Sequence, residues 1–165
     1  MTNASPIVNA LLGGWQVNGI YNYATGRPLA ITTGRFNLTA NGASTPNFTG
    51  PALSMSTVYK GSQITTLTAE QRAQFSNPGP GEVGDLPRYS FRGPAYANLD
   101  ASMFKKFSLP FLGEASEAQF RLEFFNVLNQ VNFSNPAVNI NSGNFGVISA
   151  SQPARIGQLA LKIVF

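Results

Sequence analysis

The chain has 165 residues, of which 11% are charged and 12% aromatic, with 13 Phe, 5 Tyr and a net charge of +4. Ordinary soluble domains are roughly 25% charged, and with neither Cys nor His there is no disulfide, thiolate metal site, Cys nucleophile or Ser-His or Cys-His catalytic pair. The 11 basic residues are scattered apart from Lys105-Lys106, so no nucleic-acid stripe is present, and no run of about 18 apolar residues offers a membrane helix.

In chain order, MTNASPIVNA has no basic segment followed by an apolar one, so no signal peptide is expected there. Residues 14–33 read as one long strand. Trp15, Val17, Gly19, Tyr21 and Tyr23 share one parity, and Gln16, Asn18 and Asn22 the other. Gly26 and Pro28 predict a bend or bulge, after which Leu29 and Ile31 resume the apolar parity. Residues 34–93 read as a long loop without periodicity. Within it, Thr68 and Gln71 have the spacing of a capping box and Asn77-Pro78-Gly79 is a stop, which predicts a short helix over 69–75.

Residues 97–109 alternate, with Leu99, Ala101, Met103 and Phe107 against Asn98, Asp100, Ser102 and Lys106. A short turn over 110–117 leads to a strand over 118–128. There Phe120, Leu122 and Phe124 oppose Gln119, Arg121 and Glu123, and Phe125 breaks the alternation as a bulge does. A second loop spans 132–153. The last strand, 154–165, sets Leu159, Leu161, Ile163 and Phe165 against Gln158 and Lys162. The fold class is therefore all-β, an antiparallel meander of about four long strands in a single segment.

Alternation alone does not say which face meets water. In a soluble sheet the apolar face covers a core, and in a membrane barrel it meets lipid. Three features favour the barrel. The strands are longer than the roughly 5–6 residues of soluble ones and match the roughly 9–11 that a tilted strand needs to cross a bilayer. Connections run long, short, long, as in outer-membrane barrels. With the short turn at the periplasmic end, Trp15, Phe107, Phe120 and Phe165 fall at one height as a lipid-facing aromatic girdle. Asn98, Asp100, Ser102, Lys106, Arg121, Glu123, Gln158 and Lys162 then face the lumen. The pairing is expected to set Glu123 between Lys106 and Lys162, with Arg121 close by. The alternative is a secreted all-β binding or adhesion module, whose second sheet would bury the same four aromatics.

Alternation up to a terminal Phe, on Leu159, Leu161, Ile163 and Phe165, resembles the signal of outer-membrane proteins read by the barrel assembly machinery. GWQVNGIYNYATGRPL, RGPAYANLDASMFKKFSLP and AQFRLEFFNVLNQVNF occur in that order before this strand. Together they resemble the C-terminal end of TonB-dependent outer-membrane receptors, in the Oar-like branch with carboxypeptidase-regulatory-like N-terminal domains. The resemblance implies a barrel of about 22 strands around a plug, in the outer membrane of a Gram-negative bacterium. It also implies energised uptake of a large or scarce ligand. Implied partners are outer-membrane lipid, the assembly machinery, the rest of the barrel, the plug and the TonB complex. Four strands do not close a barrel, since the smallest single-chain ones use about eight. The expectation is a fragment without its plug domain.

Chemistry beyond the wall is sparse. Glu82 and Asp85 are too few oxygen ligands for Ca²⁺. Asp100 and Glu123 as a hydrolase pair are set aside in favour of polar wall positions. Arg88 and Arg92 suit an anionic ligand or, better, the anchoring of a loop. No cofactor, metal or enzymatic activity is expected.

Overall fold

The computed structural model describes residues 8, 12–35, 44–51, 58–60 (backbone only) and 63–165. The reading of residues 1–10 lies outside these save for Val8, as do parts of the expected 34–93 loop. Among the described residues eleven strands follow in chain order: β1 Trp15–Ala24, β2 Pro28–Leu29, β3 Asn47–Phe48, β4 Val58–Lys60, β5 Gln63–Thr65, β6 Phe75–Ser76, β7 Phe91–Arg92, β8 Tyr96–Ser108, β9 Glu117–Phe125, β10 Val147–Ile148 and β11 Ile156–Val164. The chain divides into two compact units, one of residues 1–23, 97–130 and 153–165 and the other of 24–96 and 131–152. The sequence had read as one segment.

The first unit is a four-stranded sheet in the order β1-β8-β9-β11. It is an antiparallel meander over its last three strands. Period-two alternation places these strands, and they begin and end within three residues of the predicted limits except at β1. That strand stops at Ala24 rather than reaching residue 33. Phe125 does not make a bulge; it pairs directly with Ile156.

The turn between β8 and β9 is built by a 3-10 turn, Pro110–Leu112, and by Gly113 at φ 137°, a conformation only glycine adopts readily. The Leu109 N–H donates to the Ser116 carbonyl at 2.8 Å, so pairing starts at Ser108–Glu117. Beyond β9 the chain does not continue as strand to residue 128. Asn126 and Asn129 both adopt φ 53°, a left-handed turn that asparagine tolerates better than most residues.

The second unit corrects the reading of 34–93 as a loop. The β2–β7, β3–β6 and β10-β5-β4 pairings surround a core of Leu29, Ile31, Leu67, Phe75, Leu86, Phe91 and Phe145. Phe75 sits at its centre, 4.9 Å from the Phe48 ring, 6.0 Å from Phe91 and 5.1 Å, edge-on, from Phe145. Such ring pairs contribute about 0.5–1.5 kcal/mol each beyond burial. The short helix is Ala69–Arg72, three residues shorter than expected, with both bonds of the Thr68–Gln71 capping box formed. Buried threonines satisfy the backbone where strands are too short to do so. Thr65 Oγ1 donates to the Leu67 and Gly146 carbonyls at 2.9 and 3.2 Å, and Thr66 Oγ1 to Gly146 at 3.0 Å.

The TGRP and RGP motifs meet in this unit. Pro28 pairs with Arg92 and Leu29 with Phe91. The Gly93 N–H donates to the Arg27 carbonyl at 2.9 Å, and the Arg92 guanidinium to the Gly26 carbonyl at 3.1 Å. Arg92 is thus a loop anchor. A Cβ at Gly26 would lie 1.7 Å from the Gly93 carbonyl oxygen, so the strands approach only because no side chain is there. Gly26→Ala is expected to cost about 1–3 kcal/mol, the usual range for overpacking. Faster hydrogen exchange at the Leu29 and Phe91 amides checks it.

Candidate functional site

Register fixes the two faces of the four-stranded sheet. Residues paired directly across antiparallel strands share a face. Three rows cross β8, β9 and β11 on one face: Ser102–Glu123–Gln158, Phe104–Arg121–Ala160 and Lys106–Gln119–Lys162. Asn98 and Asp100 continue this parity along β8. All eight residues predicted for the polar face therefore lie on one side, which also carries Phe104, Ala160, Val164 and the Phe125–Ile156 pair.

The rows on the other face are Ala101–Phe124–Gly157, Met103–Leu122–Leu159, Lys105–Phe120–Leu161 and Phe107–Ala118–Ile163. Gly157 leaves space for the Phe124 ring, which lies 2.9 Å from where a Cβ would stand. The apolar side chains of the outer strand are open, with Leu159 66% and Leu161 67% exposed. Among the described residues, every buried hydrophobic side chain belongs to the other unit. Among the described residues of this unit no second sheet covers the apolar face, and the sandwich core of the alternative reading is not formed by them.

Trp15, Phe107 and Phe120 come together on this face, but the register does not hold the four predicted aromatics at one height: Phe107 shares a row with Ile163, Phe120 stands one row farther from the turn with Leu161, and Phe165 lies beyond the last pair, Val164–Glu117. The Trp15 ring stands edge-on to Phe120 at 5.9 Å. Between Trp15 and Phe107 sits the Lys105 ammonium, 5.3 and 5.0 Å from the two ring centroids. Lys105 is 3% exposed and donates to the Gly13 carbonyl at 2.5 Å. Ring quadrupoles and a carbonyl thus compensate a charge on an otherwise apolar face. Phe165, one residue past β11, is 94% exposed. Sequence reasoning missed Lys105 because its parity placed it among apolar residues.

The expected charge ladder is corrected. Glu123 does not lie between the two lysines; it pairs with Ser102 and Gln158, accepts a hydrogen bond from the Gln158 amide, and lies 3.8 Å from Arg121. Lys106 faces Gln119 and forms its ion pair, at 3.2 Å, with Glu117. Lys162 stands across from the same Gln119. The acid flanked by lysines is therefore Glu117. The cause is the Ser108–Glu117 closure of the turn, which sets Gln119, four residues short of Glu123, opposite both lysines.

Asp100 does more than line a face. Its carboxylate accepts from the Asn126 backbone N–H at 2.9 Å and from the Asn98 side chain at 2.8 Å. Asn126 is 6% exposed, and its side chain both donates to the Gln130 carbonyl and accepts from the Gln130 N–H, each at 2.9 Å. Asn129 accepts from the Arg155 N–H at 3.1 Å, and Arg155 reaches the Val127 carbonyl at 3.3 Å. The NLD and FFNVLN motifs are thus one polar joint at the end of the sheet away from the short turn.

Among the described residues no group of His, Cys, Asp and Glu could hold a metal ion. Glu82 accepts from the Gly79 N–H at 3.1 Å and Asp85 from the Phe48 N–H at 2.8 Å, so both acids fasten loop backbone. No helix among the described residues is long and apolar enough to cross a membrane. No curated protein and no solved structure matches the chain. A family model described as outer membrane beta barrel domain matches residues 1–158. With that match on long antiparallel strands that carry a mostly polar and a mostly apolar face, the chain belongs to the outer membrane beta barrel domain family and is a protein of the outer membrane.

Proposed function

We propose that the chain forms the C-terminal sector of the barrel wall of a TonB-dependent receptor of the Oar-like branch, and that it serves energised uptake rather than catalysis. The observation that carries this reading is the four-stranded sheet itself. It has too few strands to close, where barrels need about eight or more, and its outer strands β1 and β11 each pair on one side alone among the described residues. Unpaired edges of this length invite pairing with further strands. The apolar rows from Ala101 to Ile163 face lipid, with Trp15, Phe107 and Phe165 toward the periplasmic interface and Phe120 one row deeper than Phe107, level with Leu161. The polar rows face the lumen.

Lys106, Glu117, Gln119 and Lys162 lie at the periplasmic end of the lumenal face, with Arg121 and Glu123 one step deeper. They form the surface on which a plug rests. The last strand, with Leu159, Leu161, Ile163 and Phe165, engages the assembly machinery before it pairs onward. The test is capture of the purified periplasmic domain of TonB by the native outer-membrane assembly that contains this chain. A saturable complex is expected, lost when the N-terminal coupling segment of that assembly is removed. Absence of a complex would remove the receptor reading and leave the outer-membrane barrel standing.

A further inference from the structure

The second unit holds a cavity of about 500 Å³, inside the roughly 300–1,000 Å³ typical of small-molecule sites. It is lined by Arg27, Tyr96, Phe133, Ser134, Asn135 and Gln152, among others. Both walls rest on fixed backbone. On one side the Arg27 carbonyl is bonded to the Gly93 N–H. On the other, Phe133 bridges to Ser151, the Ser134 N–H donates to Ala150 at 3.0 Å and the Gln152 N–H to Asn132 at 2.7 Å. The backbone of both walls is held in this way, so binding has to order only the exposed side chains of the lining.

The lining has a distinct chemistry. Among the described residues, the side chains of Arg27, Tyr96, Asn135 and Gln152 make no hydrogen bond or ion pair within the protein. No carboxylate lines the cavity, and the whole unit carries six basic side chains against three acidic ones. An apolar guest would leave the guanidinium and the two amides unpaired, at a desolvation cost. A cationic guest would meet Arg27. The forked guanidinium suits a carboxylate, the two amides suit neighbouring hydroxyls as donors and acceptors, and the rings of Tyr96 and Phe133 offer negative faces to polarised C–H groups. We propose that this cavity binds a small acidic saccharide, with Arg27 on the carboxylate, Asn135 and Gln152 on hydroxyls, and Tyr96 and Phe133 against the sugar ring. This goes beyond the receptor reading, because binding here is measured without transport and stands or falls separately from TonB capture.

The experiment is titration calorimetry of the native outer-membrane assembly in detergent, with glucuronate and with glucose as probes. Saturable binding of glucuronate is expected, at least tenfold tighter than that of glucose, since a charge-assisted contact is worth about one factor of ten or more. Arg27→Gln is expected to abolish that preference, and Arg27→Lys to restore part of it. Tyr96→Ala weakens both sugars alike. Arg88→Gln, an exposed arginine outside the lining, leaves both unchanged. The Arg27 carbonyl bond that shapes the wall survives substitution of its side chain, so these variants keep the site's frame. No saturable glucuronate binding, equal affinity for the two sugars, or an Arg27→Gln variant that binds as the parent does would each overturn the proposal.

Discussion

Leu161→Arg is expected to cost about 2–4 kcal/mol of folding free energy in a bilayer, the penalty for a cation on the lipid face near mid-membrane, whereas Gln158→Arg is expected to cost far less. The two sites share one strand and differ by face. Leu161 stands in the Lys105–Phe120 row with most of its surface open, and Gln158 stands in the Ser102–Glu123 row. An arginine at 158 also gains Glu123 as a partner. Lys105 shares the row of Leu161 without contradicting the penalty there, because two rings and the Gly13 carbonyl surround its ammonium, whereas Leu161 stands open on the outer strand. The check is denaturant titration of the complete assembly folded into lipid vesicles. Equal costs at the two sites would mean that the apolar face does not meet lipid.

Asn126→Ala is expected to destabilise the loop end of the sheet by about 2–4 kcal/mol. One part is conformational, since φ 53° is a left-handed value that costs an ordinary L-residue roughly 1–2 kcal/mol. The other part is the loss of the paired bonds to Gln130 at a 6%-exposed site, at about 0.5–1.5 kcal/mol each. Asn126→Gly separates the two. It keeps the backbone conformation and loses only the side-chain bonds, so it should cost about 1 kcal/mol less than alanine. Asn126→Asp keeps the acceptor for the Gln130 N–H but sets a second carboxylate near Asp100, which already holds the Asn126 N–H. Hydrogen exchange at the Asn126 and Gln130 amides reads the effect locally. Equal exchange in all four proteins would mean that the joint is not a stability determinant.

The strands of the sheet were legible because period-two alternation over nine or more residues has no helical equivalent. β8, β9 and β11 each carry it, and with them came the division of Asn98 through Lys162 from Leu99 through Ile163. The capping box at Thr68 and Gln71 was legible for a similar reason, since its spacing states its own bonds. The second unit was not legible. Its strands of two or three residues are too short to show a period, and its core joins Leu29, Leu67, Phe91 and Phe145 from distant stretches of chain. Register was the other gap. The residues of β8 and β9 fit several pairings equally well, and the choice was made by the 3-10 turn and the Leu109–Ser116 bond. That choice moved the acid between the lysines from Glu123 to Glu117. Asn126 left only a weak trace, an Asn where the alternation of β9 ended.

The central claim is that one face of this sheet meets lipid and the other an aqueous lumen. The absence of cysteine from the chain permits single cysteines to be placed and spin-labelled at each position from 157 to 164 in the native assembly in vesicles. The direct measurement is the accessibility of each label to oxygen, which concentrates in lipid, and to a water-soluble nickel chelate. The account predicts a period of two, with oxygen maxima at 159, 161 and 163 and chelate maxima at 158, 160 and 162. Flat profiles, or the opposite phase, would contradict it.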